Sequence, residues 1–127
     1  MKKIGVTIEK TNTGYSAGAD NYPVYTAGNS FEEIKSNMVE ALNLHFEHNG
    51  GSLIDKDQIK LTLDLASFFE FYKVINAKAL SERIGMNQSL LAQYINGIKK
   101  PSAEQTRRIL KGIQQVGREL SEIRFIF

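Results

Sequence analysis

Two short amphipathic segments joined by a three-residue turn constrain the fold of this chain more than any other feature. Asn76 can cap a helix over residues 77–84, and a second helix is predicted over residues 88–95. Gly85 opens the turn between them, where the chain must reverse with a positive φ that glycine accepts readily. The pattern predicts a helix-turn-helix arrangement. Apolar side chains at helical spacing should lock the two helices together: Leu80, Ile84, Leu91 and Tyr94 or Ile95.

The outward face of the second helix carries polar or small side chains without charge: Gln88, Ser89, Ala92 and Gln93. Each of the two glutamines can present a donor and an acceptor to the edge of a base, with adenine as the favoured target. Asn87 and Asn96 flank this helix. Lys99 and Lys100 follow it, where they can contact phosphates and set the register. The alternative is an ordinary helical hairpin without a ligand. The predicted DNA-binding residues are Asn87, Gln88, Ser89, Gln93, Asn96, Lys99 and Lys100.

The first half of the chain has the alternation of a small sheet. Residues 4–9 alternate between apolar and polar or small side chains, which predicts a half-buried strand. The turn signal at residues 12–14 predicts a hairpin into a second strand over residues 15–19. Residues 22–25 contain a proline and are predicted as an edge strand or a short third strand. The clearest alternation covers residues 59–65 and predicts a further strand.

A helix with clear end signals is predicted over residues 30–48. Ser30 and Glu33 can form a capping box at its start. Its apolar face follows helical spacing: Phe31, Ile34, Met38, Ala41, Leu42 and His45. The predicted fold class is therefore α+β, with a small β-β-β-α-β sheet domain over residues 1–65 and an all-α helix-turn-helix bundle over residues 66–127.

Two further helices and a final segment complete the second half. Ser67 and Glu70 can form a capping box, and Ser102 can cap a longer helix. Residues 119–127 leave two alternatives open. They form either a strand that pairs with a second copy or with the first-half sheet, or a helical extension tucked against the bundle. The longer helix is expected to bury Thr106, Ile109, Leu110, Ile113 and Val116.

The formal charge divides unevenly along the chain. Residues 1–64 hold six basic and nine acidic side chains and carry −3, whereas residues 65–127 hold ten basic and five acidic side chains and carry +5. The basic half is where nucleic acid is expected to bind. The acidic half suits a basic partner.

Composition excludes several kinds of site. The chain has no cysteine, which removes disulfides, cysteine–zinc sites and a cysteine nucleophile. His45 and His48 have a spacing that can bind zinc, but no third ligand is evident. Glu9, Asp20 and Glu33 give no reason to expect a clustered metal-binding set. We predict no enzyme activity, no cofactor, no metal, no membrane span and a cytoplasmic location.

The second half resembles a known family. Its residues ALSERIGMNQS at 79–89, followed by Leu91, YINGI at 94–98 and KPS at 100–102, resemble the phage-repressor (Xre-type) helix-turn-helix. The resemblance covers roughly residues 66–116. It implies that Gln88 and Ser89 read bases and that Asn96 helps to hold a phosphate.

The first half resembles a second family over about residues 3–65. The residues GYSA at 14–17 and TAGNSFEEI at 26–34, with Asn37 and EAL at 40–42, resemble the HicB antitoxin domain, a partial RNase H-like fold. The two resemblances together imply an antitoxin of a type II toxin-antitoxin pair. Such a protein binds a small HicA-type mRNA-cleaving toxin and represses its own operon, and we expect it to act as a homodimer or higher homo-oligomer on double-stranded operator DNA.

Two other functions stay open at this point. One is a solitary helix-turn-helix regulator whose first half senses a ligand or only dimerises. The other, less favoured, is a nuclease-like enzyme, which the lack of a recognisable nucleophile, base and orienting group disfavours.

Overall fold

The computed structural model describes residues 3–127 and has an α+β fold. Within those residues, one mixed sheet has four strands and five helices are present. The strands are β1 (Ile4–Lys10), β2 (Tyr15–Ala19), β3 (Tyr25–Gly28) and β4 (Ile59–Thr62). The helices are α1 (Phe31–Asn49), α2 (Leu65–Phe71), α3 (Ala77–Ile84), α4 (Gln88–Ile95) and α5 (Ala103–Ser121). The chain divides into two compact units, of which the first ends at Phe71 and the second begins at Tyr72.

The sheet of the first unit has the strand order β3-β2-β1-β4. β1 pairs with β2 in antiparallel orientation and with β4 in parallel orientation, so Val6 lies between Ala19 and Leu61. The predicted hairpin is confirmed, since the Thr11 amide donates to the Gly14 carbonyl oxygen over 2.8 Å at the turn. As its alternation predicts, β1 places every second side chain on the same face of the sheet, because strand side chains repeat with a period of two.

Helix α1 supplies the apolar residues that complete this core. Ser30 caps the helix, as predicted, and its Oγ accepts the Glu33 amide over 3.1 Å. The buried residues recur every four positions and so form one stripe: Ile34, Met38, Leu42 and Phe46. They belong to the same buried cluster as Val6 and Ile8 of β1. Phe46 is therefore a core residue that the predicted apolar face did not include.

The third strand was placed too early by the sequence pattern. β3 begins at Tyr25, and the residues before it form a tight turn in which the Val24 amide donates to the Tyr22 carbonyl oxygen over 2.8 Å. Pro23 has no amide hydrogen to give to a strand ladder, so the chain turns there and pairs only afterwards. β4 is likewise shorter than predicted and ends at Thr62.

Helix α2 begins at Leu65, before the capping box predicted at Ser67 and Glu70. Asp64 accepts the Ser67 amide through Oδ1 over 2.7 Å, so Asp64 performs the capping role that was predicted for Ser67. Ser67 is instead buried inside the helix, and Glu70 pairs with Lys10. The element order also departs from the predicted one, because a 3-10 turn at Lys56–Gln58 separates α1 from β4.

Two expectations about α5 and the residues after it are wrong. Thr106 and Leu110 are exposed, whereas Ile109 is fully buried and Ile113 and Val116 are partly buried. The helix continues through Ser121 and its Glu119 pairs with Arg83 of α3, but every residue from 117 to 127 is exposed, so the extension is not buried against the bundle. Residues 123–127 also pair with no strand of the described sheet.

Tyr15 makes the stability of the first unit sensitive to alkaline pH. Burial raises the pKa of its hydroxyl to about 12, and the Glu70 and Asp64 carboxylates add to the increase. The unfolded chain releases this proton near pH 10, so the contribution to stability is complete below pH 10 and is lost as the pH rises towards 12. Each pKa unit corresponds to about 1.4 kcal/mol.

We therefore expect wild-type protein to lose more stability than Tyr15→Phe between pH 9 and pH 12. Urea unfolding of both proteins across this range measures the difference, and the shared titration of lysines cancels in the comparison. Parallel curves for the two proteins would contradict the prediction.

Candidate nucleic-acid interface

Local hydrogen bonds at both ends fix the boundaries of α3 and α4. The Asn76 side chain accepts the Ala79 amide over 2.9 Å at the start of α3. Gly85 ends α3 with φ 68° and ψ 32°, the left-handed conformation that favours glycine. The Met86 amide then donates back to the Ser81 carbonyl oxygen over 2.8 Å. The turn is thus only three residues long, as the sequence predicts, and it fixes where α4 begins.

A small apolar core determines which face of α4 is outward. Leu91 and Tyr94 of α4 are buried, as are Leu80 of α3 and Ile109 of α5. Because these residues face inward, the opposite side of α4 is exposed. That side carries Gln88, Ser89, Ala92 and Gln93.

The structure places all seven predicted site residues at the surface. Gln88, Ser89 and Gln93 lie on α4 itself, and Asn87 lies immediately before it. The other three follow its last residue: Asn96, Lys99 and Lys100. With a rise of 1.5 Å per residue, the eight residues of α4 span about 12 Å, with Asn87 just before the first residue and Asn96 just after the last.

Asn87 has a structural role that limits what it can offer a ligand. Its Oδ1 accepts the Leu90 amide over 3.2 Å and caps α4. The side-chain amide group keeps its two N–H donors, which suit a phosphate oxygen. Asn87 can therefore contact the backbone of a nucleic acid while it caps the helix.

The lysines after α4 are held close to the end of that helix. The amides of Ile98 and Lys99 both donate to the Gln93 carbonyl oxygen, over 2.9 and 3.2 Å. Gly97 permits this reversal with φ 74°. The backbone of Lys99 is thus anchored to the same helix that carries the glutamines.

Arg108 of α5 is a positioning residue that the sequence reasoning missed. Its Nη2 donates to the carbonyl oxygens of Ile84 and Gly85, each over 2.8 Å. These are carbonyl groups at the end of α3, where a cation is favoured by the helix dipole. Arg108 therefore holds the turn that sets the angle of α4. Helical spacing could not reveal this contact, because the partners lie 24 and 23 residues away.

Gly112 lets α5 approach α3 closely. A Cβ at this position would collide with Cγ2 of Ile84 and lie 3.6 Å from Cδ1 of Leu80. Gly117 is in the same helix but has open space around it. The two glycines thus form a matched pair in which only one is required by packing.

We expect Gly117→Ala to raise the free energy of unfolding by about 0.5–1 kcal/mol, because alanine favours helix over glycine. Gly112→Ala should lower it instead, since overpacking costs about 1–3 kcal/mol and outweighs that gain. Urea unfolding of the two variants measures whether each substitution raises or lowers the free energy of unfolding. Equal stabilisation by both substitutions would show that α3 and α5 do not need this close approach.

Charge is distributed unevenly between the two units. Residues 1–71 carry six basic and ten acidic side chains, and residues 72–127 carry ten basic and four acidic ones. The second unit, which contains α4, thus has a net charge of +6, and the first unit has −4. A positive surface raises the local concentration of a polyanion such as DNA.

His45 and Asp20 of the first unit have structural partners. His45 contacts the rings of Tyr22 and Phe46, and Asp20 accepts the Thr7 hydroxyl over 2.7 Å. Among residues 3–127, no three histidine or acidic side chains come together in a way that could hold a metal ion. None of the helices in this part of the chain has the length and apolar character needed to cross a bilayer.

Comparison with models of protein families, with curated proteins and with solved structures finds no match to this chain.

Proposed function

We propose that the protein is an antitoxin and transcriptional autorepressor. In this proposal the second unit is a helix-turn-helix bundle that binds double-stranded operator DNA, and the first unit is a small β-β-β-α-β domain that binds a HicA-type toxin. The observation that carries the proposal is the exposed, uncharged glutamine face of α4 on a unit of charge +6. A helix with such a face can enter the major groove without repelling the phosphates.

Direct contacts to bases are assigned to the outward face of α4. Gln88 and Gln93 can each donate and accept at an adenine edge, and Ser89 can contact several bases. All three side chains are exposed, and Asn87 and Asn96 cap the two ends of α4. The face is therefore available without any rearrangement of the helix.

Contacts to phosphates are assigned to both ends of α4. Asn87 and Asn96 offer side-chain amides, and Lys99 and Lys100 offer charges. Because the backbone of Lys99 is hydrogen-bonded to Gln93, its position is tied to the base-reading face. The backbone contacts would thus set the register in which Gln88 and Gln93 meet the bases.

Selection of duplexes from a random library by the full chain tests DNA recognition. We expect enrichment of one palindromic sequence whose half-sites lie about 34 Å apart, as two copies of α4 in successive major grooves require. Binding without sequence preference would contradict base reading.

Lys99→Ala should weaken binding to all DNA sequences by a similar factor. If Lys99 contacts one phosphate, the slope of the logarithm of affinity against the logarithm of salt concentration should fall by about 1. Titrations at several salt concentrations measure the slope. Lys60→Ala, which removes an exposed lysine from the first unit, is the control and should leave it unchanged. An unchanged slope for Lys99→Ala would exclude the phosphate contact.

Binding of a basic toxin is assigned to the first unit because that unit has a net charge of −4. Native purification should recover a small basic ribonuclease with the protein. Addition of the purified chain should then suppress cleavage of RNA by that ribonuclease in proportion to the amount added. A ribonuclease that remains fully active in the presence of excess chain would contradict the antitoxin proposal and leave DNA binding to be judged separately.

A second candidate function is a solitary regulator that senses a ligand. A cleft of about 430 Å³ in the first unit favours it, with Tyr22, His45 and Phe46 among the lining residues. Such a volume falls within the range of small-molecule sites. Failure to recover a toxin, together with an effect of a small molecule on DNA affinity, would favour this function over the antitoxin.

A further inference from the structure

The outward side of α5 carries a row of basic side chains. Arg107, Lys111 and Arg118, here called the α5 stripe, are exposed and make no ion pair with another described residue. A helix turns by about 100° per residue, so the three positions fall within about 40° of one another and are centred opposite the buried Ile109. The row is about 16 Å long, since each residue adds about 1.5 Å. The stripe therefore points away from the core of the second unit.

The contacts between α5 and α3 leave the stripe uncovered. Arg108 donates to the Ile84 carbonyl oxygen over 2.8 Å. Glu119 pairs with Arg83 of α3. Gly112 lies close to the side chain of Ile84. These three residues of α5 lie about 80–120° around the helix from the centre of the stripe. The interactions that hold α5 in the bundle thus involve none of the stripe side chains.

The middle of the stripe has no neutralising charge nearby on the helix. Two arginines lie one turn before Lys111, and two glutamines lie one turn after it. Like charges at these spacings destabilise a helix. Glu104 and Glu122 stand beyond the two ends of the stripe, and Glu119 is engaged by Arg83. An anionic partner would relieve the repulsion around Lys111.

We propose that the α5 stripe binds the phosphate backbone of a second segment of nucleic acid, separate from the segment that α4 contacts. Both α4 and α5 pack mainly on α3 rather than on each other, and each turns its outward face away from that packing. The two faces are therefore separate surfaces, and one chain can hold two segments. This inference does not rest on base reading by α4.

The chemistry of the stripe fits a nucleic-acid backbone better than an acidic protein. Each strand of a duplex carries a phosphate about every 3.4 Å along the axis, so a row of about 16 Å passes about five of them. Arg107 and Arg118 offer planar guanidinium groups that can bind phosphate oxygens with two hydrogen bonds. Protein interfaces depend on a few anchors in dry pockets, often aromatic ones, whereas the stripe itself has no aromatic or aliphatic side chain.

The salt dependence of binding to a duplex of arbitrary sequence tests the phosphate contacts. In the stripe variant all three residues of the stripe are replaced by glutamine, which is a good helix former, so circular dichroism should show unchanged helix content. The charge-matched variant carries Lys73→Gln, Lys78→Gln and Arg124→Gln, which remove three exposed cations from the same unit. The slope of the logarithm of affinity against the logarithm of salt concentration should fall by about 2–3 in the stripe variant, and by less than about 1 in the charge-matched one. Equal slopes in the two variants would overturn the proposal.

Capture of two duplexes tests whether the stripe holds a separate segment. One duplex is fixed to beads and loaded with the full chain, and a second, labelled duplex is then added. We expect the wild-type chain and the charge-matched variant to retain the labelled duplex. The stripe variant should bind the beads but retain at least about tenfold less label, because it has lost three phosphate contacts.

Three results would contradict the second segment. Retention of label by the stripe variant would mean that another surface, such as α4 of a second copy, holds the duplex. No retention by the wild-type chain would mean that one chain does not hold two segments. Poly-glutamate that displaces the labelled duplex as well as unlabelled DNA does, at equal charge concentration, would indicate an acidic protein as the partner. Failure of the proposed function is distinguishable, because selection would then enrich no sequence while the difference in salt slope remained.

Discussion

Alanine in place of Ile109 should cost the second unit about 2–5 kcal/mol of its free energy of unfolding. Ile109 is the only residue of α5 that is fully buried, and it belongs to the small core that includes Leu91 and Leu80. A unit of this length, at about 0.05–0.15 kcal/mol per residue, has a stability of only about 3–8 kcal/mol. The substitution therefore removes a large share of it, and DNA binding should be lost with the fold.

Leu110→Ala is the matched control for Ile109→Ala. Leu110 is the next residue of the same helix, but it is half exposed, so its truncation should cost less than about 1 kcal/mol. Urea unfolding followed by circular dichroism measures both variants. The sequence pattern predicts that both residues are buried, whereas the structure buries only Ile109. Equal destabilisation by the two substitutions would contradict the packing of α5 described here and support the sequence pattern.

The boundaries of α3 and α4 could be predicted because local interactions determine them. Asn76 and Asn87 bond to amides three residues ahead, and Gly85 adopts a conformation that few other residues accept. Each of these signals is complete within four residues of sequence. The outward position of Gln88 and Gln93 follows from the same local pattern, since the inward positions of α4 are apolar.

The orientation of α5 could not be predicted in the same way. Its apolar residues occupy a broad arc, and packing against α3 selects Ile109 over Leu110. The Arg108 contact depends on the same long-range packing, because its partners are carbonyl groups on another helix. Sequence spacing reports which residues share a face, but not which part of that face is covered.

The caps around α2 and the start of β3 show a different kind of error. Asp64 and Ser67 are both acceptable N-cap residues, and the sequence alone does not rank them. In the fold, Asp64 is the residue that caps α2, and Ser67 is buried. Pro23 allowed either an edge strand or a turn, and the hydrogen bonds of Val24 show that a turn forms.

Gln88→Ala should weaken binding to the selected DNA site by about 5- to 150-fold, which corresponds to about 1–3 kcal/mol for one bidentate base contact. Binding to random DNA should be unchanged, because that binding depends on phosphate contacts and salt rather than on base edges. Titrations of the selected duplex and of a scrambled duplex of equal length, at one salt concentration, measure both affinities.

The fold should tolerate Gln88→Ala, which separates this result from that of Ile109→Ala. The side chain of Gln88 is exposed, and alanine favours helix, so the free energy of unfolding should change little. Gln114→Ala, at an exposed glutamine of α5, is the control and should leave both affinities unchanged. An equal loss on the selected and scrambled duplexes would mean that Gln88 contributes through the phosphate backbone. Sequence preference would then have to come from Ser89, from Gln93 or from the shape of the duplex.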